Sequence, residues 1–304
     1  MPKTLNPPCA DNIANFLSLH RLPECYAQTI ETHFSPIAEA LAQRCQTKPD
    51  QSLWVAINGC QGSGKTTMAA ALVMLLQQHQ LQAVALSIDD FYLTRSQRQA
   101  LASDIHPLLK TRGVPGTHDI ALARETLDAL SQSTAREFST EYSVPHFDKA
   151  IDDRSPQSDW PRVATPVDII ILEGWCVGAQ AQSMPALIEP INELEAQADH
   201  EGNWRHYVNA QLQLDYRELF ERFEVNIMLK APSFDCVYHW RLEQENKLRE
   251  KTAGQGDGLM SESELLRFIQ HYQRITEHNL DVLPSQVDYL LELDEQRNIF
   301  VSSR

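Results

Sequence analysis

The stretch NGCQGSGKTT, residues 58 to 67, directly follows the apolar run LWVAI and reads Gly59-x-x-x-x-Gly64-Lys65-Thr66. At average residue usage those four fixed positions occur by chance in roughly one chain in a hundred of this length, and the strand-like run before them makes chance less adequate still. The pattern demands a strand, a tight loop and a helix, in that order. Successive backbone N–H groups of such a loop curl round the β- and γ-phosphates of a nucleotide, and the helix starting near Lys65 points its positive end at them. The expected nucleotide contacts are Gly59, Cys60, Gln61, Gly62, Ser63, Gly64, Lys65, Thr66 and Thr67. Lys65 would neutralise the β/γ oxygens, and the Thr66 hydroxyl would enter the shell of a Mg²⁺ ion. ATP and Mg²⁺ are therefore the expected cofactors.

Such a loop needs a sheet to carry it. Four further apolar runs, AVALSI, VDIIILEG, VNIMLKA and VDYLLEL, read as buried strands. MAAALVMLLQQH, IALARETLDAL and YHWRLEQENKL, which lie between them, have helical periodicity. Alternation of this kind predicts an α/β, three-layer P-loop NTPase fold: a mostly parallel central sheet covered on both faces, with ligands at the carboxyl ends of the strands. We expect one kinase-type domain over residues 1–304, with a helical N-terminal extension over 1–50, a core over 51–304 and a lid near 241–258. Ten of the eleven glycines fall in four loops, at 59, 62, 64; 113, 116; 174, 178; and 254, 256, 258. Those loops are where backbone must bend or approach a ligand.

A net charge of −15 argues against nucleic acid as the main partner, since counterion release needs a basic surface. Anionic ligands must instead be met by local positive charge. No apolar run approaches membrane-spanning length, and the six cysteines are scattered without a C-x-x-C pair. The expectation is a cytoplasmic protein with reduced thiols and neither a membrane nor a nucleic-acid partner.

Two carboxylates stand at predicted strand ends. LSIDDFY ends the second strand, and because neighbouring side chains alternate along a strand, one of Asp89 and Asp90 faces the crevice. Asp89 is the candidate base that accepts the proton of an attacking alcohol. DIIILEGW ends the third strand with Glu173, where a carboxylate after a fully apolar run fits a metal ion better than core packing. Thr66 and Glu173 are thus the candidate metal residues.

TRGVPGTHDIALARETL joins a glycine-proline turn to a helix, with Asp119 placed as N-cap. Arg112, His118, Asp119, Lys149 and Arg154 are the candidate substrate residues; Arg112 offers a fork for a carboxylate. Capping accounts equally well for Asp119, and a solvated loop for Lys149 and Arg154. The helix YHWRLEQENKLREK precedes the glycines at 254, 256 and 258 and suits a lid. Arg241, which has no acid four positions upstream, is the lid cation expected to stabilise the transferring phosphoryl. The pairs Glu243–Lys247 and Glu245–Arg249 would support an exposed helix without any ligand.

Taken together, GCQGSGKTT, SIDDFY, RGVPGTHD, FDK…DDR, LEGWCVG and YHWRLEQE resemble the plant-type D-glycerate 3-kinase family, from about residue 50 onward. These are P-loop kinases related to uridine kinase, phosphoribulokinase and bacterial pantothenate kinase. The resemblance implies that Asp89 is the base of the D-x-F-Y motif, that Glu173 is the metal-associated carboxylate, and that the acceptor is D-glycerate. Two features depart from the family pattern. His146-Phe147 stand where an Arg-Tyr pair is expected, and the loop KAIDDRSP lacks an expected glycine.

The first reading is therefore an ATP-dependent kinase for a small hydroxylated acid. The alternatives are a kinase for a pantothenate- or nucleoside-like alcohol, a nucleotide-hydrolysing switch, and a non-catalytic nucleotide-binding scaffold. Against a GTPase switch, the only Asn-Lys pair, Asn246-Lys247, is followed by Leu248-Arg249 and not by x-Asp.

Overall fold

A computed structural model describes residues 10–48, 50–131, 140–251 and 260–303. Helices α1 (Ala10–His20), α2 (Tyr26–Thr29) and α3 (Ser35–Gln46) precede β1 (Leu53–Gly59), α4 (Lys65–Gln78) and β2 (Ala83–Ser87). Next come α5 (Arg95–Asp104), α6 (Ile120–Ser131) and four short strands: β3 (Thr140–Ser143), β4 (Phe147–Asp148), β5 (Asp153–Arg154) and β6 (Arg162–Thr165). After β7 (Ile169–Gly174), helices α7 (Glu193–Ala198), α8 (Asn203–Gln213) and α9 (Asp215–Phe220) lead to β8 (Val225–Lys230). The chain ends with α10 (Phe234–Lys251), α11 (Glu262–Val282), β9 (Tyr289–Leu293) and β10 (Ile299–Ser303).

The central sheet has the order β10-β9-β8-β1-β7-β2, and only β10 runs antiparallel to its neighbour. All five predicted strands lie in it. β1 and β7 are buried at every position, as strands covered on both faces must be. Their side chains alternate between two cores. Leu53, Val55, Ile57, Ile169 and Ile171 enter a cluster with α4 and with Ile13, Phe34, Ile37 and Leu41 of the N-terminal helices. Trp54, Ala56, Ile170 and Leu172 enter the opposite cluster, with α6, α8 and Tyr272 of α11. The N-terminal helices are thus packed behind the strand that feeds the glycine loop. The arrangement is the α/β three-layer fold the sequence predicts.

The second strand is shorter than predicted. It stops at Ser87, whose hydroxyl accepts from the Asp89 N–H at 3.3 Å, and residues Ile88–Phe91 form a 3₁₀ turn. Side-chain alternation therefore does not apply to Asp89 and Asp90. The predicted lid is described only through its helix, because the glycines at 254, 256 and 258 lie outside the described residues.

Candidate active site

Three neighbouring strands deliver the site. In the order β1-β7-β2, Glu173 pairs in register with Ile57 on one side and Ser87 on the other. The glycine loop, Glu173 and the Asp89 turn consequently meet at one end of the sheet, where open parallel sheets bind ligands.

The loop is shaped by two glycines for different reasons. Gly64, the N-cap of α4, has φ +92°, and a Cβ there would meet nothing within 4 Å, so it is required by conformation. A Cβ on Gly59 would sit 2.5 Å from Ser63 Oγ, so that glycine is required by space. The buried atoms Gln61 Oε1 and Ser63 Oγ have no hydrogen-bond partner among the described residues. Residues 62–67 line a cavity of about 890 Å³ together with Tyr26, His33, Glu243 and Arg297.

Thr66 Oγ1 donates to Glu173 Oε1 at 2.8 Å, and Lys65 Nζ lies 3.9 Å from Glu173 Oε2. Glu173 is only 3% exposed, and its Oε2 has no hydrogen-bond partner among the described residues. A threonine hydroxyl beside a buried carboxylate with one oxygen to spare is an oxygen-donor set that fits Mg²⁺.

Asp89 is held on two sides: the Tyr92 hydroxyl donates to Oδ1 at 2.8 Å and Lys149 Nζ to Oδ2 at 2.6 Å. Burial raises its pKa, but the Lys149 charge and hydrogen bond, with Lys65 behind them, outweigh burial and hold the carboxyl at about 2. Asp90 differs. It accepts from the Phe147 N–H at 3.2 Å and sits 3.1 Å from His146 Nδ1, yet burial prevails and raises its pKa. The two residues that depart from the family pattern, His146 and Phe147, thus hold the second aspartate.

The predicted substrate residues gather beyond Asp89. The β4–β5 hairpin presents Lys149 to Asp89 and Asp152 to Arg112, whose guanidinium also lies 5.6 Å from the Phe147 ring centre. Arg154 Nη2 reaches Asp119 Oδ2 at 3.2 Å and the Tyr92 carbonyl at 3.0 Å. Asp119 caps α6, accepting from the Leu122 N–H at 3.0 Å. It therefore caps and pairs at once. His118 stacks on Tyr92, with ring centres 4.5 Å apart, and places Nδ1 2.7 Å from the Tyr216 hydroxyl. Arg241 Nη2 lies 3.3 Å from Glu245 Oε2, the acid one turn downstream. Its charge acts on the Tyr272 phenol, as do those of Asp89 and Arg112.

Three residues in contact with the candidate site residues are given no role by the sequence: Tyr92, Asp152 and Tyr216. Tyr92 closes the SIDDFY segment, so its signal is local. Asp152 lies in the DDR segment that carries part of the resemblance, where nothing local points to a pairing with Arg112. Tyr216 is 98 residues from His118 and carries no local signal.

No protein-family model matches the chain. The uncharacterized kinase mug58 of Schizosaccharomyces pombe is 33% identical over 266 residues, covering 83% of this chain and 92% of the relative. The chloroplastic D-glycerate 3-kinase of Arabidopsis thaliana is 32% identical over 261 residues, 81% of this chain and 53% of the relative, so the match spans about half of that protein. Among solved structures, the D-glycerate 3-kinase of Cryptococcus neoformans superposes with a TM-score of 0.70 at 24% identity, covering 88% of this chain and 97% of its own, and shares the fold. The chain belongs to the D-glycerate 3-kinase family of P-loop kinases, which are ATP-dependent phosphotransferases.

Proposed function

We propose that this protein transfers the γ-phosphoryl group of ATP to a hydroxyl of a small hydroxy acid, and that the acid is D-glycerate. The observation that carries the reading is the position of Asp89. It lies within electrostatic reach of Lys65, under a cluster of cations that suits a carboxylated acceptor. The Arabidopsis relative supplies the identity of the acceptor.

Residues 59–67 bind the phosphates, and Lys65 neutralises charge that develops on the transferring group. Thr66 and Glu173 would hold Mg²⁺, which neutralises β- and γ-phosphate charge when bound. Asp89 orients the acceptor hydroxyl and takes its proton. Phosphoryl transfer has a loose transition state, so the alcohol loses its proton late and needs little basicity from its partner. Even so, a carboxylate held at about 2 is a weak base. A substrate carboxylate that draws Lys149 away removes that restraint and raises the basicity of Asp89 as the acceptor binds. Arg112, His118, Asp119 and Arg154 complete the acceptor side. Arg241 serves as the lid cation.

The test is ADP release by purified protein against a panel of small alcohols and hydroxy acids at saturating ATP·Mg²⁺. Turnover fastest with D-glycerate is expected. Faster turnover with pantothenate or a nucleoside would reassign the acceptor, and equal ADP release without any acceptor would remove the kinase reading.

A further inference from the structure

The hydrogen bonds around His118 fix where its proton sits. The Gly116 N–H donates to the Tyr216 hydroxyl oxygen at 2.9 Å. Tyr216 is fully buried, and burial raises its phenol pKa well above the usual value, so it keeps its proton and must donate it. The His118 backbone N–H is a second donor toward that oxygen, and among the described residues the one group at hydrogen-bond distance that can accept from the hydroxyl is His118 Nδ1, at 2.7 Å. Nδ1 therefore accepts. Burial lowers the His118 pKa to about 4, so the ring is neutral at physiological pH and its one N–H is on Nε2. That atom is buried and has no hydrogen-bond partner among the described residues. The ring it belongs to stacks on Tyr92, whose hydroxyl holds Asp89. A buried donor is costly to leave unmade, and this one belongs to a ring packed beside the candidate base.

We propose that Tyr216 is a positioning residue. It locks His118 as the Nε2–H tautomer, making the ring a pure donor to an oxygen of the acceptor and excluding acceptors that present a donor at that point. The proposal rests on the acceptor side being where the reading above puts it. It assigns a role to a residue that itself touches no substrate.

The tautomer is measurable without any substrate, by ¹⁵N–¹H correlation of the histidine ring nitrogens. In the unliganded protein, His118 Nδ1 should resonate as an unprotonated nitrogen and Nε2 as a protonated one. The reverse assignment overturns the proposal whatever the acceptor is. Binding of the compound turned over fastest in the panel, with ADP present, should move the Nε2 resonance, whereas ADP alone should leave it in place. An unmoved Nε2 resonance with a compound that is turned over also overturns the proposal, while leaving the kinase reading intact.

Tyr216→Phe should populate the second tautomer and raise the acceptor KM by up to about tenfold, with the ATP dissociation constant unchanged. An unchanged tautomer and KM in that variant would remove Tyr216 from the role. Should Tyr216→Phe not fold, His118→Gln and His118→Asn decide. The Gln amide reaches about as far as Nε2 and should retain most acceptor affinity, whereas the Asn amide mimics Nδ1 and should not. Equal losses in both would refute a donor at Nε2.

Discussion

Around the glycine loop, Gln61 Oε1, Ser63 Oγ and Glu173 Oε2 are buried without a hydrogen-bond partner among the described residues, the last with only the Lys65 ammonium nearby, at 3.9 Å. Across the crevice the pattern reverses. Lys149 is tied to Asp89, Arg154 to Asp119 and Arg112 to Asp152. On the reading proposed above, a ligand at the glycine loop finds unpartnered polar atoms and has only the Thr66–Glu173 hydrogen bond and the long Lys65–Glu173 contact to rearrange. On the same reading, the acceptor side is occupied by its own carboxylates, and an acidic substrate would exchange partners with them. Exchange lowers net affinity but adds selectivity, because an uncharged alcohol cannot displace an ion pair.

Substitutions should separate the two regions. Asp89→Asn is expected to lower kcat by roughly 10²–10⁴, about 3–5 kcal/mol of barrier, and to leave ATP binding largely intact by calorimetry. A near-normal rate would remove Asp89 as base and the contrast with it. Lys65→Ala should lower kcat by about 10²–10³ and also weaken ATP binding; retained activity would contradict phosphate binding by the loop.

Lys149→Met sharpens the contrast. The acceptor KM should rise by no more than about tenfold, since Lys149 is well exposed, while the ATP dissociation constant stays the same. Lys149 holds the Asp89 pKa down, so its loss should move the acid limb of the pH–kcat/KM profile upward from about 2. An effect on ATP alone would show that the lysine belongs to the phosphate side.

The smallest effect concerns stability. His118 has a folded pKa of about 4 against 6.5 for the free side chain. The unfolded chain therefore binds more protons between those values, and this contribution is fully present above about 6.5 and lost as pH falls toward 4. His118→Gln should flatten the fall in Tm across that window by on the order of a few °C, read by calorimetry at a series of pH values.

The phosphate side was legible because its information is local. Strand, loop, lysine and threonine are consecutive, and the apolar run before Glu173 marks a buried carboxylate by itself. The acceptor side is a set of contacts between distant segments. Lys149 meets Asp89 across 60 residues and Arg112 meets Asp152 across 40, and no periodicity reports such distances. Side-chain alternation misled at Asp89 and Asp90 because the strand ends at Ser87, one residue before the end of the apolar run AVALSI, and the serine caps a 3₁₀ turn that carries both aspartates.

The loop expected to contain a glycine supplies one more lesson. Asp152 adopts φ +53°, the left-handed conformation that glycine takes without strain. A non-glycine residue there gives up on the order of 1 kcal/mol, yet the carboxylate it brings lies 3.0 Å from Nη2 of Arg98, a side chain that is only 1% exposed. A glycine at this position would relax the backbone but take away the one carboxylate facing Arg98 among the described residues, leaving the buried guanidinium with the carbonyls of Leu93, Lys110 and residue 152 and no compensating charge. Backbone conformation and buried charge thus pull the choice of residue at this one position in opposite directions, and charge prevails.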